Sequence, residues 1–329
     1  TRAHNRVQDM SGGTERVAIV TGPTASGKSA LAARLAGALG GVVINADSMQ
    51  VYEGLSVLTA RPGPEELALA PHRLYGVLPP EQACSAGRWR ELALAEIEAT
   101  LAEGRLPVLC GGTGLYLRAL TEGIAELPAI PGEIRAAARQ LHGELGGTAF
   151  HARLAEADPD TAARLHPNDS QRLIRAWEVL QATGKPLSAW QAEAGQAPAP
   201  YDFRRIVVLP PREALYESCD ARFGKMLESG ALEEVAALRA RGLDPRLPAM
   251  KALAVPELCR HLAGELSLEA ASAAARTATR RYAKRQLTWL RGEAARQKIQ
   301  SLVIEEKFYE SNWKGIFPKI RDFVLTASR

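Results

Sequence analysis

The stretch Gly22-Pro23-Thr24-Ala25-Ser26-Gly27-Lys28-Ser29 decides the fold. It meets the pattern GxxxxGK(S/T) at every fixed position. An apolar run, Val17 to Thr21, precedes it. After it, Ser29 to Leu39 reads as a helix with Leu31, Leu35, Ala38 and Leu39 on one face and Gly40-Gly41 as its stop. A strand, a glycine turn and a helix start together make an anion cradle. The glycines let the chain curl so that successive N–H groups point inward, and the helix N-terminus adds partial positive charge. Lys28 supplies a mobile charge for a terminal phosphate, and Ser29 suits a Mg2+ ion. The plain alternative is a glycine turn with a solvated lysine.

Working outward, strands and helices alternate. Val42 to Ala46 is a second buried strand. Ser85 caps a helix running to Glu103, stopped by Gly104. Pro107 to Cys110 is a third strand, and Arg205 to Leu209 returns as another. This order predicts an α/β fold: a P-loop, doubly wound parallel sheet whose ligands bind beyond the carboxyl ends of the strands. The stretch 128–200 is different. It is helical, edged by Pro128 and Pro131 on one side and by Pro186, Pro198 and Pro200 on the other, and reads as an all-helical insertion domain. The expected organisation is a first core part over 10–127, the insertion, and a return strand with long helices over 201–297. From about Lys298 the composition shifts from Ala, Arg and Leu to Lys, Ile, Phe and Asn, so 298–329 reads as a separate tail. Met10, after nine polar residues, reads as a natural start.

Three strand ends converge on one crevice. Asp47 follows the second strand directly. Such a carboxylate binds Mg2+ or activates a hydroxyl in a kinase, serves as general base in a transferase acting on an amine, or simply caps a helix. The third strand delivers Gly111-Gly112-Thr113-Gly114. These glycines allow a ligand to approach closely and Thr113 can donate to an anionic oxygen, unless Thr113 only caps the next helix.

The 329 residues carry a formal charge of +4, too little for general nucleic-acid affinity, so RNA contact must come from local clusters. Two exist. A helix capped by Asn168 or Asp169 and running to Gly184 places Leu173, Ile174, Trp177 and Leu180 on its apolar face and Arg172 and Arg175 on another. A helix from Arg276 to Arg296 carries Arg280, Arg281, Lys284, Arg285 and Arg291, with Tyr282 and Trp289 two turns apart on its buried side. A basic helix is often only a solvated face. Cys84, Cys110, Cys219 and Cys259 form no Cys-x-x-Cys pair, which argues against zinc and against a disulfide framework. No apolar stretch spans a bilayer and no signal peptide opens the chain, so a cytoplasmic monomer without a membrane partner is expected.

Five segments together resemble the bacterial tRNA dimethylallyltransferases, which prenylate the adenosine 3′-adjacent to the anticodon. They are Gly22 to Ser29 (GPTASGKS), Asp47 to Tyr52 (DSMQVY), Gly111 to Leu120 (GGTGLYLRAL), His166 to Val179 (HPNDSQRLIRAWEV) and Arg281 to Arg291 (RYAKRQLTWLR). The resemblance implies that Gly22, Pro23, Thr24, Ala25, Ser26, Gly27, Lys28 and Ser29 hold the diphosphate of dimethylallyl diphosphate, with Mg2+ at Ser29. It implies that Asp47 takes the amine proton and that Thr113 and Arg135 contact the reacting groups. It places tRNA on Asp47, Ser48, Met49 and Gln50 and on Gln171, Arg172, Leu173, Ile174 and Arg175. With the resemblance, Arg280, Lys284 and Arg285 become a further RNA surface.

Two departures stand out. Lys251 to Pro256 lacks the glycine that the family usually has after Met250, and Leu58 stands where a Gly-Thr-Ala-Lys/Arg-Pro stretch usually begins. The zinc finger of the eukaryotic members is absent from this sequence. Two other activities fit a P-loop crevice: a small-molecule kinase, and an isopentenyltransferase acting on AMP or ADP. The kinase would need a nucleotide-base pocket and a lid of arginines. The basic helices favour tRNA over AMP or ADP. Intact Lys28, Ser29, Asp47 and Thr113 argue against a non-catalytic RNA-binding protein with a relic P-loop.

Overall fold

The computed structural model describes residues 14–193, 195–296 and 298–326. Met10 lies outside the described residues. The chain forms two compact units, Thr1–Ala119 with Pro200–Arg329, and Leu120–Ala199.

The first unit is built on six strands: β1 (Arg16–Thr21), β2 (Val42–Asn45), β3 (His72–Arg73), β4 (Pro107–Cys110), β5 (Asp202–Val208) and β6 (Ser301–Ile304), in the order β3-β2-β4-β1-β5-β6. Every pairing is parallel; Ala18 lies opposite Val108 on one side and Arg204 on the other. Parallel strands need crossovers, and helices lie between successive strands. The helices are α1 (Lys28–Leu39), α2 (Pro64–Leu69), α3 (Ala86–Ala102), α4 (Gly114–Thr121), α5 (Gly132–Ala157), α6 (Pro159–Ala162), α7 (Ser170–Thr183), α8 (Leu187–Ala192), α9 (Arg212–Glu228), α10 (Ala231–Ala240), α11 (Val255–Leu262), α12 (Leu268–Ala295) and α13 (Trp313–Leu325). Of these, α13 follows the last strand and α5–α8 belong to the second unit.

Side chains of alternate strand residues pack against α1 and α13 on one face. Ala18, Val20, Val43, Val108 and Val208 meet Leu31, Leu35, Ile320 and Val324 there. Fully burying each such leucine contributes about 2 kcal/mol. On the other face α3 lies against β2 and β4, with Trp89 and Ile97 fully buried. The Trp89 indole N–H donates to the Asn45 carbonyl at 2.9 Å, so this large side chain brings its polar edge in satisfied.

Residues after 298 are not a separate tail. Leu302 and Ile304 extend the sheet beside β5, with Val208 opposite Ile304, and Ile320 and Val324 are fully buried under it. Arg16 pins α13 by donating to the Val324 carbonyl at 2.9 Å. The shift in composition marks a different choice of residues, not a boundary: Ile316, Ile320 and Val324 recur at helical spacing on one face. Two further readings change. α12 begins at Leu268, two turns before Arg276, because Ser267 caps it by accepting from the Ala270 N–H at 3.1 Å. β3 is a two-residue edge strand that no sequence period could reveal.

The second unit, Leu120–Ala199, is helical and has no strand of the sheet among the described residues; Ile124 and Gln196 form an isolated bridge. It begins eight residues before the proline edge at Pro128. Phe150, Leu154, Ala162, Leu173 and Ala176 form its core, and Phe150 meets Trp177 edge-on at 5.8 Å. The unit is small but has a core of its own.

Candidate active site

β1 ends at Thr21, and the chain then folds into a tight loop before α1. Ala25 and Gly27 both take left-handed backbone, with φ of 64° and 89°. Alternating handedness turns neighbouring N–H groups to one side, which is the geometry of an anion nest. Gly27 is obligatory on a second ground: a Cβ there would stand 2.5 Å from the Phe308 carbonyl oxygen. Lys28 folds back and donates to the Pro23 carbonyl at 3.4 Å.

The loop borders a cavity of 590 Å³ that also receives Asp47, Gln50, Arg61, Arg222 and Lys307. Arg222, on α9, donates to the Thr24 hydroxyl. Burial pulls the Lys28 ammonium below its ordinary value; Cys110 and Asp47 oppose this and the Arg222 guanidinium adds to it. Burial lowers Arg222 as well, against Cys219 and Asp47. Two cations held so close without a bound anion disfavour one another, and an anion of two or more charges relieves both. The Cys110 thiol beneath the loop is pushed up to about 11 by burial, so it stays a neutral packing group. All four cysteines are free, and Cys84 and Cys259 are only half-buried.

Asp47 sits on the turn after β2. Its N–H donates to the Asn45 side chain at 2.8 Å, and its Oδ1 accepts from the Met49 N–H at 2.9 Å. Oδ2 accepts no hydrogen bond among the described residues, which leaves one carboxylate oxygen for a ligand. Thr113 holds this turn from the neighbouring strand: its Oγ1 accepts from the Ser48 N–H at 2.9 Å and donates to the Ser48 hydroxyl at 3.3 Å. The Thr113 hydroxyl therefore positions the Asp47 segment, where an anionic oxygen was expected as its partner.

Each of the glycines around Thr113 admits a close approach of the protein itself. A Cβ on Gly111 would overlap the Ala46 backbone at 2.1 Å, one on Gly112 would meet the Gln286 amide at 2.4 Å, and one on Gly114 the Trp289 ring at 2.4 Å. Gln286 itself, buried on α12, accepts from the Thr24 N–H at 2.8 Å and donates to the Gly112 carbonyl at 3.2 Å. It ties both glycine turns to α12. Arg222, Gln286 and Lys307 were not singled out for this site from the sequence. Gln286 lies inside a quoted motif but was read only as part of a basic helix; Arg222 and Lys307 have no local signal.

Gln50 is buried, and its amide donates to the Thr59 and Ala60 carbonyls at 2.8 and 3.0 Å, so its donors serve the loop. In the helical unit, Arg135 is exposed in the first turn of α5, and Gln171 and Arg172 are exposed on α7. Leu173 is a correction: it is fully buried among Phe150 and Leu154, so its side chain is not an RNA contact, while Ile174 is only partly buried against the same cluster. Arg280 is half-buried, and its Nη1 donates to both carboxylate oxygens of Asp220 at 2.9 and 2.6 Å, so an RNA phosphate there competes with that carboxylate. Arg281, Lys284, Arg285, Thr288 and Trp289 instead border an open hollow of 520 Å³.

A family model described as IPP transferase matches residues 50–293. The chain belongs to the IPP transferase family. Among its relatives, a tRNA dimethylallyltransferase of Rhodospirillum centenum is 62% identical over 283 residues, covering 86% of this chain and 90% of that protein. That of Paramagnetospirillum magneticum is 53% identical and covers 94% and 97%. Among solved structures, the tRNA isopentenylpyrophosphate transferase of Bacillus halodurans matches with a TM-score of 0.66 at 31% identity, covering 94% of this chain and 97% of that one. A eukaryotic dimethylallyltransferase acting on tRNA matches with a TM-score of 0.76 at 26% identity, covering 94% and 80%.

Both departures from the IPP transferase pattern now have a place. Ala254 has a φ of 71°, left-handed backbone at the N-cap of α11, where glycine is at ease and alanine costs about 1 kcal/mol. Pro256 lies in the first turn of that helix, where a missing N–H is no loss. Leu58 and Ala254 line one 20 Å³ cavity with Phe223 and Met226, so the two departures meet.

Proposed function

We propose that this chain transfers the dimethylallyl group of dimethylallyl diphosphate to the exocyclic amine of the adenosine 3′-adjacent to the anticodon in tRNA. The observation that carries this reading is the convergence of the Gly22–Ser29 loop, Lys28, Arg222 and Asp47 on one cavity in a member of the IPP transferase family. The loop is then a phosphate-binding P-loop that holds the diphosphate end of the donor.

An allylic C–O bond breaks readily because the cation left behind is delocalised. The enzyme's main task is to hold the departing diphosphate, which loop N–H groups, Lys28 and Arg222 do by charge and hydrogen bonding. The adenine amine is a weak nucleophile, its lone pair drawn into the ring. As its nitrogen bonds to the allylic carbon it must lose a proton, and Asp47 Oδ2 takes it. Thr113 and Ser48 keep that carboxylate in place. Thr113 and Arg135 remain the proposed contacts to the reacting groups, and Asp47 to Gln50, Gln171, Arg172, Ile174 and Arg175 with Arg280, Lys284 and Arg285 the proposed contacts to tRNA. The base has to leave the anticodon-loop stack to reach the carboxylate.

The donor set suits Mg2+. No three His, Cys, Asp or Glu side chains cluster as a metal cage among the described residues. Mg2+ usually relies on phosphate oxygens and water with one or two protein groups, and Ser29 and Asp47 border the cavity as such groups. When bound it stabilises charge on the diphosphate.

Incubation with labelled dimethylallyl diphosphate, Mg2+ and unmodified tRNA should label one adenosine of the anticodon loop. Transfer to AMP instead, or ATP turnover coupled to modification, would overturn the reading. Asp47→Asn should lower turnover by about 10²-fold with little change in tRNA affinity. Near-normal turnover in that variant removes Asp47 from the proton transfer.

A further inference from the structure

Lys307 belongs to the segment after β6. Its backbone is fixed from both sides. The Leu209 N–H donates to the Ile304 carbonyl at 2.8 Å, the Phe308 N–H donates to the Ser26 carbonyl at 3.1 Å, and the Asn312 side chain donates to the Lys307 carbonyl at 3.2 Å. Phe308 is buried, and its carbonyl sits where a Gly27 side chain would be. The segment is thus locked onto the phosphate loop itself.

From this fixed backbone the Lys307 ammonium reaches the cavity wall and donates to the Ser218 hydroxyl at 2.9 Å. It also lies 4.8 Å from the Tyr309 ring. Both partners are neutral, and Lys307 makes no ion pair among the described residues. The cavity it joins holds five cationic side chains against three carboxylates. Lys307 lines the same cavity as Lys28 and Arg222, and with only neutral hydrogen-bonding and ring partners its charge is available to an anion bound there.

We propose that Lys307 is a diphosphate-binding residue, contributed by the C-terminal segment to the same anion that the Gly22–Ser29 loop holds. The proposal rests on the donor-site reading above. It makes the last strand and helix part of the site. β6 sets the height at which Lys307 leaves the sheet edge, and α13 anchors the strand by burying Ile320 and Val324. A lysine suits this role because its flexible stem lets one point charge follow the anion from intact donor to free diphosphate.

Titrating inorganic diphosphate into the full chain with Mg2+ present tests it, with dimethylallyl diphosphate as a second arm. The wild type should bind both, Lys28→Ala should bind poorly, and Lys307→Gln should bind about tenfold more weakly or worse, the loss expected for one charge-assisted hydrogen bond. Lys307→Arg should recover most of the affinity and of the donor KM. If Lys307→Gln shows a lowered melting temperature without ligand, Lys307→Met, which keeps the stem and drops the charge, replaces it. Wild-type affinity for diphosphate in the charge-free variants, with Lys28→Ala weakened, overturns the proposal and leaves the donor site standing. A wild type that binds neither diphosphate overturns both.

Discussion

On α7, Arg172 faces Asp169 at 3.4 Å and Arg175 faces Glu178 at 3.4 Å, each pair one turn apart on the same helix. On α12, Arg281, Lys284 and Arg285 form no ion pair among the described residues and border a hollow together with Thr288 and Trp289, while Arg285 lies 5.6 Å from the Tyr282 ring. By sequence the two helices look alike, with cations one turn apart beside an apolar face. They differ in what stands opposite each charge. A cation already matched by a carboxylate must give up that partner before it neutralises a phosphate, so the net gain is smaller. A cation facing water releases a condensed counterion at little cost. Trp289 borders the same hollow, and aromatic side chains are platforms on which any base can stack. On these grounds we expect α12 to be the stronger of the two proposed RNA surfaces and α7 the weaker.

The largest effect should therefore come from α12. Replacing Arg281, Lys284 and Arg285 together by Ala should weaken tRNA binding by about 10²-fold near 50 mM salt and reduce the salt slope by about two, at roughly 0.7 per phosphate contact on single strands. Diphosphate binding should survive, since none of the three lines the donor cavity. Replacing Arg172 and Arg175 by Ala should cost less than about tenfold, with a slope change under one. Titrations of both variants across several salt concentrations rank the surfaces. A larger loss from the α7 pair would break the comparison and return the main footprint to that helix.

The contrast between the helices also marks how far the sequence could be read. The Gly22–Ser29 loop was legible because strand, glycines, lysine and helix start are all contiguous, and the parallel sheet because its inner strands are mostly apolar runs. Asp47 was legible from its place directly after a strand. The pairing of Arg280 with Asp220 was not, since 60 residues separate them and only the packing of α9 on α12 joins them. Arg222 reaches the Thr24 hydroxyl from 198 positions away and Lys307 reaches Ser218 from 89, gaps that no local pattern crosses. Leu173 shows the opposite error. Its apolar helical period already placed it in the core, and extending an RNA-contact range across it overrode that period. The C-terminal strand was missed because a change of residue usage was taken for a change of domain.

The smallest effect tests the reason α7 is weaker. Glu178 is almost buried, its side chain 9% exposed, while the Arg175 side chain remains 38% exposed. Glu178→Gln removes the charge and keeps the shape. Losing a half-desolvated ion pair of this kind should change stability by less than about 1 kcal/mol, because the buried carboxylate was costly to dehydrate and Arg175 can turn to water. The freed guanidinium should then raise tRNA affinity by about twofold at low salt, a gain that fades as salt rises. Arg175→Ala in the same background decides the cause. If the gain vanishes there, the carboxylate was masking Arg175; if it persists, Glu178 repels the RNA directly and the pairing of charges along α7 is not what sets its affinity.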